Sequence, residues 1–334
     1  MTLPMRAGVR ALLIGTVVVG LASQAGSATA KPSSGAETPL QAFSATPSWW
    51  TTAVPDGAPQ HANEAAVLDY LRTAPQNGGG VLKLAGAGRN PWGQPVFWAS
   101  AGDKEYNVRW ASRNRPPELD HLRIPSTMQG AATSDGALTL FDRERGYVMA
   151  MTRAVHDSGS DTWTVAGATV TYLDSNGLHS RTGRSDDPRN RGSHRGNNGA
   201  TMMARLDQVE AGSIDNVLKI SCGPECSTEH TFPMVGSDGD SPTSPLKQGL
   251  RMRIRPDVDL GALGLHPQAL VIAKAAQEYG VYFGDSGGTT ALKLENTVAE
   301  GRGQQWTVSA KELSSLPFTS EYWDVLPEGY HPGS

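Results

Sequence analysis

The stretch from Asp161 to Gly177 reads DTWTVAGATVTYLDSNG, and it decides the fold class. Its first thirteen residues form short apolar and alternating runs rich in Thr, Val, Trp and Tyr. Such runs are typical of β-strands, because side chains alternate between the two faces of a strand. The closing DSNG supplies the residue types that tight turns prefer. The sequence here predicts β-structure that ends in a turn.

The same pattern recurs along the chain. Short apolar or alternating runs separated by turn residues lie at 95–100, 106–110, 137–142, 147–153, 216–221, 229–235, 250–255, 290–295 and 304–309. At least nine short strands favour a mainly β protein over a doubly wound α/β fold. We therefore predict a β-sandwich or jelly roll.

Two or three short helices interrupt the predicted strands. Residues 63–73 form one amphipathic pattern, and residues 200–212 carry apolar residues at helical spacing before Gly212. The third pattern, 266–280, has Pro267 near its first turn and a glycine at its end. Proline near the start and glycine just past the end are typical helix boundaries.

The N-terminus has the features of a secretory signal peptide. Arg6 and Arg10 form a positive region, residues 11–21 are apolar, and SATA at 27–30 offers a cleavage site after Ala30. No later apolar stretch is long enough to span a membrane. We predict a secreted, extracellular protein without membrane insertion.

Composition predicts how the remaining chain is organised. Residues 31–60 are rich in Pro, Ser, Ala and Thr, which predicts a flexible lead-in, and residues 61–334 are expected to form a single β-sandwich domain. The formal charge is −4 and becomes more negative once the two arginines of the signal are removed, which argues against nucleic acid as a partner. The oligomeric state is not predicted.

Cys222 and Cys226 are the two cysteines of the chain, in SCGPECS. Outside the cell this pair is expected to form a small disulfide that pins a turn. A metal site would need two further ligands, and none is obvious nearby. The sequence also lacks a P-loop, a dinucleotide-binding fingerprint and an HExxH motif. We predict no metal and no cofactor.

Residues 284–288 read GDSGG, which spells the motif around the nucleophile of trypsin-like serine proteases. A protease would also need a histidine base, and no upstream histidine lies in a protease-like context. A predicted helix ending at Gly280 leads into the motif almost directly. We therefore interpret GDSGG as a glycine-rich turn in which Asp285 or Ser286 caps backbone amides.

The segments LGALGLHPQALVIAKAAQEYGVYFGDSGG (260–288), LKLEN (292–296) and GATMMARLDQVEAGSIDNVLKI (199–220) carry a family resemblance. They resemble a family of secreted, mostly uncharacterised actinobacterial proteins with a β-rich body and a helix followed by a GDxGG turn. The likeness covers roughly residues 95–296 and implies secretion and a β-sandwich. It also points to five acidic residues within the shared motifs, namely Asp103, Asp142, Asp238, Asp285 and Glu295.

A glycosidase needs two carboxyl groups flanking the scissile bond. Asp285 and Glu295 are the pair that could face each other across the sheet, so they are the predicted catalytic carboxylates. Asp103, Asp142 and Asp238 are candidate substrate-binding residues. The alternative for each is a structural one, because aspartates after strands usually cap turns.

The segment HSRTGRSDDPRNRGSHRGNNG (179–199) is strongly basic in an otherwise acidic protein. It suits an anionic ligand such as a uronate polymer or a phosphate. A polysaccharide lyase would use a histidine as base, an arginine to neutralise the carboxylate and an asparagine to assist. The candidates for these roles are His179, His194, Arg181, Arg195 and Asn197. A solvated loop is the structural alternative.

Trp92 and Trp98 lie near the first clear strands and are candidates for stacking on sugar rings, with burial in the core as the alternative. These features together predict a secreted glycoside hydrolase that acts on an extracellular polysaccharide or cell-wall glycan. A polysaccharide lyase and a non-catalytic carbohydrate-binding or cell-wall-binding protein remain the alternatives.

Overall fold

The computed structural model describes residues 38–44, 48–74, 79–223 and 225–332. From Pro39 onward the described residues form one compact unit. The predicted signal peptide lies outside the described residues and stays a prediction.

The described residues form a mainly β protein, which confirms the predicted class. The α-helices are α1 (Glu64–Thr73), α2 (Leu206–Ala211) and α3 (Pro267–Glu278). The strands are β1 (Lys83–Ala85), β2 (Val96–Ala99), β3 (Lys104–Tyr106), β4 (Leu122–Ile124), β5 (Leu138–Asp142), β6 (Tyr147–Thr152), β7 (Val155–Asp157), β8 (Thr162–Thr164), β9 (Gly167–Tyr172), β10 (Arg191–Gly192), β11 (Leu218–Cys222), β12 (Arg251–Ile254), β13 (Val281–Ser286), β14 (Ala291–Lys293) and β15 (Trp323–Val325).

Two large sheets organise these strands. The six-stranded sheet has the order β1-β14-β11-β13-β12-β15, and the five-stranded sheet has the order β10-β9-β6-β5-β2. The hairpins β3-β4 and β7-β8 lie outside them. Both large sheets contain parallel as well as antiparallel pairs. Two mixed sheets with few short helices are consistent with the predicted β-sandwich.

The side chains of β6 show how the layers pack. Val148 and Ala150 belong to the core that also holds Tyr282 of the other sheet, whereas Met149 and Met151 face a second core on the opposite side. This alternation follows from the two-residue period of a strand. A third core lies among the helices and the six-stranded sheet. The long apolar strands are therefore buried on both faces.

Helix α3 leads directly into β13. It begins after His266, whose Nδ1 accepts a hydrogen bond from the backbone N–H of Gln268 at 3.2 Å. Pro267 occupies the first helical turn, as the sequence predicts. Gly280 follows the helix with a φ of +81°, a left-handed conformation that favours glycine. This turn sends the chain into β13, which carries the GDSGG motif.

Some predicted elements differ from those observed. No strand forms at 229–235 or 304–309, and only Tyr106 of 106–110 belongs to a strand. The helix predicted at 200–212 is confined to Leu206–Ala211. Short apolar runs there are buried as irregular chain, because contacts with neighbouring segments override local pattern.

The described part of residues 31–60, for which the sequence predicts a flexible lead-in, packs against the core. Trp49 and Trp50 are almost completely buried and contact Tyr282 of β13. The buried guanidinium of Arg251 donates hydrogen bonds to the backbone oxygens of Trp49 and Thr52, at 3.1 and 3.0 Å. Burying two tryptophans outweighs the polar composition of the surrounding residues.

Candidate functional site

The candidate site lies where β14, β11 and β13 run side by side and carry charged side chains. Lys293 lies on β14, Lys219 on β11 and Asp285 on β13. Ile220 lies opposite Leu292 in the antiparallel pair β11-β14. This register places Lys219 opposite Lys293 on the same face of the sheet, so two ammonium groups share one surface.

Asp285 is the centre of this charge cluster. Lys219 Nζ lies 3.1 Å from Asp285 Oδ2, and Arg195 Nη2 lies 2.9 Å from Asp285 Oδ1. Burial alone would raise the pKa of Asp285, but the positive charges of Lys219, Lys293 and Arg195 outweigh it and hold this pKa well below its usual range. Asp285 is therefore an ionised carboxylate at neutral pH.

Arg195 connects Asp285 to a second carboxylate. Its Nη2 atom also lies 3.1 Å from Asp238 Oδ2, while its Nε donates to Gln248 Oε1 at 3.2 Å. Asp238 Oδ1 accepts hydrogen bonds from the backbone N–H of Ser286, at 3.1 Å, and from Gln248. Arg195 holds a φ of +54°, a left-handed conformation that is strained for a non-glycine residue. This network fixes the loop that holds Arg195 against the GDSGG turn.

His194 lies beside the cations of the cluster. It is buried, and its Nδ1 atom has no hydrogen-bond partner among the described residues. Burial, together with the positive charges of Lys219 and Arg195, lowers the pKa of His194 to about 3. The imidazole is therefore neutral at neutral pH, because a proton there would be both buried and repelled.

Gly284 allows the cluster to pack closely. A Cβ atom at this position would lie 2.3 Å from Asn197 Oδ1 and 2.7 Å from Lys219 Cγ. Asn197 in turn donates a hydrogen bond from Nδ2 to the backbone oxygen of Gly284 at 2.6 Å and accepts one from the hydroxyl of Tyr282 at 3.0 Å. The first glycine of GDSGG is thus a site of close approach, and Asn197 supports the strand.

Two adjoining cavities open onto the cluster, and we call them together the Asp285 groove. Their volumes are about 400 and 200 Å³. They share a wall formed by Asp135, Lys219, Asp285 and Lys293. Trp92 lines the larger cavity and is 43% exposed. The groove thus combines charged groups with one accessible aromatic surface, as ligand sites usually do.

Asp135 and Lys293 are the two charged groups of this wall that form no ion pair with a described residue. Neither side chain forms a hydrogen bond or an ion pair with another described residue, although each is close enough to influence the other electrostatically. Asp135 is exposed and precedes β5. Both groups are available to a ligand in the groove.

Glu295, predicted to pair with Asp285, does not line the groove. Its side chain is buried, and both oxygens are occupied: Oε2 accepts from the backbone N–H of Leu206 at 2.7 Å, and Oε1 lies 2.5 Å from Arg302 Nη1. The neighbouring Glu300 carries a pKa raised to about 8 by burial and by the charge of Glu295. The predicted Asp285–Glu295 pair is therefore not brought together in one cavity, because Glu295 anchors α2.

The basic segment divides between two places. Arg195 and His194 lie in the groove, whereas His179 is buried elsewhere and its Nδ1 accepts a hydrogen bond from the backbone N–H of Arg181 at 3.1 Å. Burial lowers the pKa of His179 to about 4. Arg181 lines a separate cavity of about 570 Å³. The predicted anionic subsite is thus not a continuous surface of this segment.

Three further candidates have structural roles away from the groove. Asp142 is buried and accepts a hydrogen bond from the backbone N–H of Arg145 at 2.9 Å, which caps the turn after β5. Asp103 caps a turn by accepting from the backbone N–H of Ser100 at 2.7 Å. Trp98 stacks on one side against a neighbouring ring and has Arg143 4.4 Å above its own ring. The two aspartates follow the structural alternative, whereas Trp98 is neither buried in the core nor part of the groove.

The predicted disulfide between Cys222 and Cys226 is present and lies directly behind the GDSGG turn. Cys226 Sγ contacts the backbone oxygen of Asp285 at 3.2 Å, and the backbone oxygen of Cys222 accepts a hydrogen bond from Gly287 at 3.1 Å. Ser286 is exposed, and among the described residues no histidine hydrogen-bonds to its hydroxyl. Gly284, Asp285 and Ser286 thus form the end of β13, and the carboxylate of Asp285 pairs with Lys219 and Arg195 instead of capping backbone amides as the sequence suggested.

Sequence reasoning missed Lys219, Lys293 and Asp135. The two lysines had a usable signal, because each stands in the middle of an apolar strand, in VLKIS and ALKLE. A charged residue flanked by buried residues in a strand needs a partner or a function. Asp135 gave no such signal, since it lies in a polar loop.

Comparisons with protein-family models, with curated protein sequences and with solved structures found no match. Among the described residues, no helix is long and apolar enough to cross a membrane. The class that fold and site define is therefore a mainly β protein with a charged groove at the end of its central strands.

Proposed function

We propose that the protein is an exported enzyme that hydrolyses glycosidic bonds of an extracellular polysaccharide in the Asp285 groove. The observation that carries this proposal is the shared wall, in which the carboxylates Asp285 and Asp135 line both cavities near the exposed Trp92. Glycosidases need two carboxyl groups at a cleft. A tryptophan face suits the apolar C–H surface of a sugar ring.

The two carboxyl groups have different environments, which suits different roles. The surrounding cations keep Asp285 ionised at the wall of the groove, so it is the candidate nucleophile. Asp135 faces the same groove and forms no hydrogen bond with its side chain to another described residue, so it is the candidate for the second carboxyl group. In this proposal Asp135 takes the role that the sequence assigned to Glu295.

A β-eliminating cleavage of a uronate polymer is the second candidate. The observation that favours it is His194, a neutral imidazole with an unpartnered Nδ1 that lines the groove beside Arg195 and Lys219. Lyases need a neutral base next to cations that stabilise the carboxylate. The low pKa of His194, about 3, makes it a weak base and places this mechanism second.

A panel of neutral and acidic polysaccharides would test the proposal, with new reducing ends and ultraviolet absorbance measured in parallel. Hydrolysis releases reducing ends alone, whereas elimination also produces an absorbing unsaturated sugar. We expect Asp135→Asn to lower the rate by about 10²–10⁴-fold without changing the melting temperature. Asp69→Asn, on the exposed face of α1, is the matched control and should retain full activity.

Asp285→Asn should abolish turnover, but its folding must be checked because Asp285 holds Lys219. The Asp135 variant tests the proposal without that complication, since its carboxylate is exposed and forms no hydrogen bond or ion pair with a described residue. Full activity of Asp135→Asn would remove Asp135 from the mechanism. Binding without turnover on every polysaccharide would support a non-catalytic carbohydrate-binding protein instead.

A further inference from the structure

Lys293 stands out because its ammonium group lacks a partner in a site where the other cations are paired. Lys219 pairs with Asp285, and Arg195 pairs with Asp285 and Asp238. Lys293 lines both cavities of the Asp285 groove and forms neither a hydrogen bond nor an ion pair with a described residue. An uncompensated ammonium at the wall of a groove is a binding site for an anion.

The position of Lys293 in the sheet makes its positive charge destabilising for the folded protein. The antiparallel register places it opposite Lys219, and like charges directly opposite each other on neighbouring strands are destabilising. Burial and the charge of Lys219 lower the pKa of Lys293, and the opposing effects of Asp285 and Asp135 do not offset them. A bound anion would relieve this repulsion.

The charge count favours a singly charged ligand. Lys219 and Arg195 are ion-paired with the carboxylates Asp285 and Asp238, whereas the ammonium group of Lys293 forms no ion pair with any of them. Asp135 lines the same wall and influences Lys293 electrostatically without forming an ion pair with it. A monoanion would supply the one partner that Lys293 lacks, whereas a phosphate or sulfate dianion would add a second negative charge beside Asp135 and Asp285.

We propose that Lys293 binds the carboxylate of a uronic acid residue, so the substrate class of the groove is an acidic polysaccharide. This inference rests on the proposed function for the claim that the ligand is part of a polymer. The anion-binding site itself is argued from the unpaired ammonium group of Lys293 in the groove. Trp92 lines the same cavity and offers a surface for the sugar ring. The larger cavity, of about 400 Å³, has the size typical of small-molecule sites.

Titration calorimetry of the secreted protein with monosaccharide probes tests this site. The probes are glucuronate, its uncharged methyl ester, glucose, acetate and inorganic phosphate. We expect glucuronate to bind about tenfold or more tightly than the methyl ester or glucose, which matches the loss of one charge-assisted hydrogen bond. Acetate and phosphate should bind more weakly than glucuronate, because they lack the ring that Trp92 contacts.

Lys293→Met should lower the affinity for glucuronate by about tenfold or more, and Lys293→Arg should retain part of it. Lys274→Met removes the same charge from the exposed face of α3 and is the matched control. Unchanged glucuronate affinity in Lys293→Met, or equal binding of glucuronate and its methyl ester by the unaltered protein, would overturn the inference. The ester comparison needs no variant, so it holds even if a substitution impairs folding.

The binding and cleavage experiments can refute the two proposals independently of each other. Glucuronate binding that depends on Lys293, without cleavage of any polymer, would sustain this inference and refute the proposed enzyme. Cleavage that depends on Asp135, without preference for a carboxylate, would sustain the enzyme and refute the uronic acid subsite. Tighter binding of phosphate than of glucuronate would identify a general anion site and contradict the proposal.

Discussion

Replacing Asp285 by asparagine should destabilise the folded protein by about 3–5 kcal/mol, the cost of leaving a buried charge without its partner. Asparagine has nearly the same shape but no charge. The side chain of Lys219 is only 3% exposed, and its ammonium pairs with Asp285 at 3.1 Å. Arg195 would keep Asp238 as a partner. The loss therefore falls mainly on Lys219.

Urea unfolding, followed by tryptophan fluorescence, measures this effect. The double variant Asp285→Asn with Lys219→Met removes both charges, so it should recover much of the lost free energy of unfolding. Asp161→Asn removes a carboxylate that pairs with Lys104 on the surface, and it should leave the free energy of unfolding nearly unchanged. These variants separate the effect of a buried pair from that of an exposed pair.

The effect should also depend on pH. The folded-state pKa of Asp285 lies below its ordinary value of 3.8, so its stabilising contribution is present above that value and is lost as the pH falls through the folded-state pKa. The difference between the original protein and Asp285→Asn should therefore shrink in strong acid. A destabilisation below about 1 kcal/mol at neutral pH, the size expected of a surface pair, would refute this account of the cluster.

Three further predictions concern Gly284, Glu300 and Trp92. Gly284→Ala should lower the free energy of unfolding in urea by about 1–3 kcal/mol, because the new Cβ would lie 2.3 Å from Asn197 Oδ1. Gly288→Ala is the control, because its Cβ would meet no atom within 4 Å and the free energy of unfolding should hardly change. Equal losses in the two variants would contradict this reasoning. Burial raises the pKa of Glu300 to about 8, so its contribution to the free energy of unfolding is present below pH 4.5 and is lost as the pH rises through 8. Glu300→Gln should therefore flatten the plot of the free energy of unfolding against pH in this range. An unchanged slope would show that Glu300 does not titrate there. Trp92→Ala should weaken polysaccharide binding by about 0.5–1.5 kcal/mol in calorimetry while the melting temperature stays the same, and unchanged affinity would exclude stacking on this ring.

Local pattern predicted those elements whose side chains alternate clearly. The stretch at 161–173 became β8 and β9, and the pattern at 266–280 became α3 with the expected boundaries. The runs at 229–235 and 304–309 were mistaken for strands. A short apolar run shows that a segment is buried, but hydrogen-bonding partners decide whether it becomes a strand.

The candidate site was predicted only in part. The GDSGG motif drew attention to Asp285, and the basic segment to Arg195 and His194, which all line the groove. Glu295 lies only ten positions beyond Asp285, but its carboxylate is turned to Leu206 and Arg302. Spacing along the chain did not reveal this, because the direction of a side chain depends on the segments packed around it.

The sequence by itself determined the mainly β class, the small disulfide and the course of α3 into the GDSGG turn, because each depends on residues that are neighbours along the chain. The tertiary structure alone decided the composition of the groove. Lys219 lies 66 positions before Asp285, and its charge acts on Asp285 and Lys293 because strand pairing places the three residues on one face. Electrostatic interactions depend on distance in space, which the order of residues does not specify.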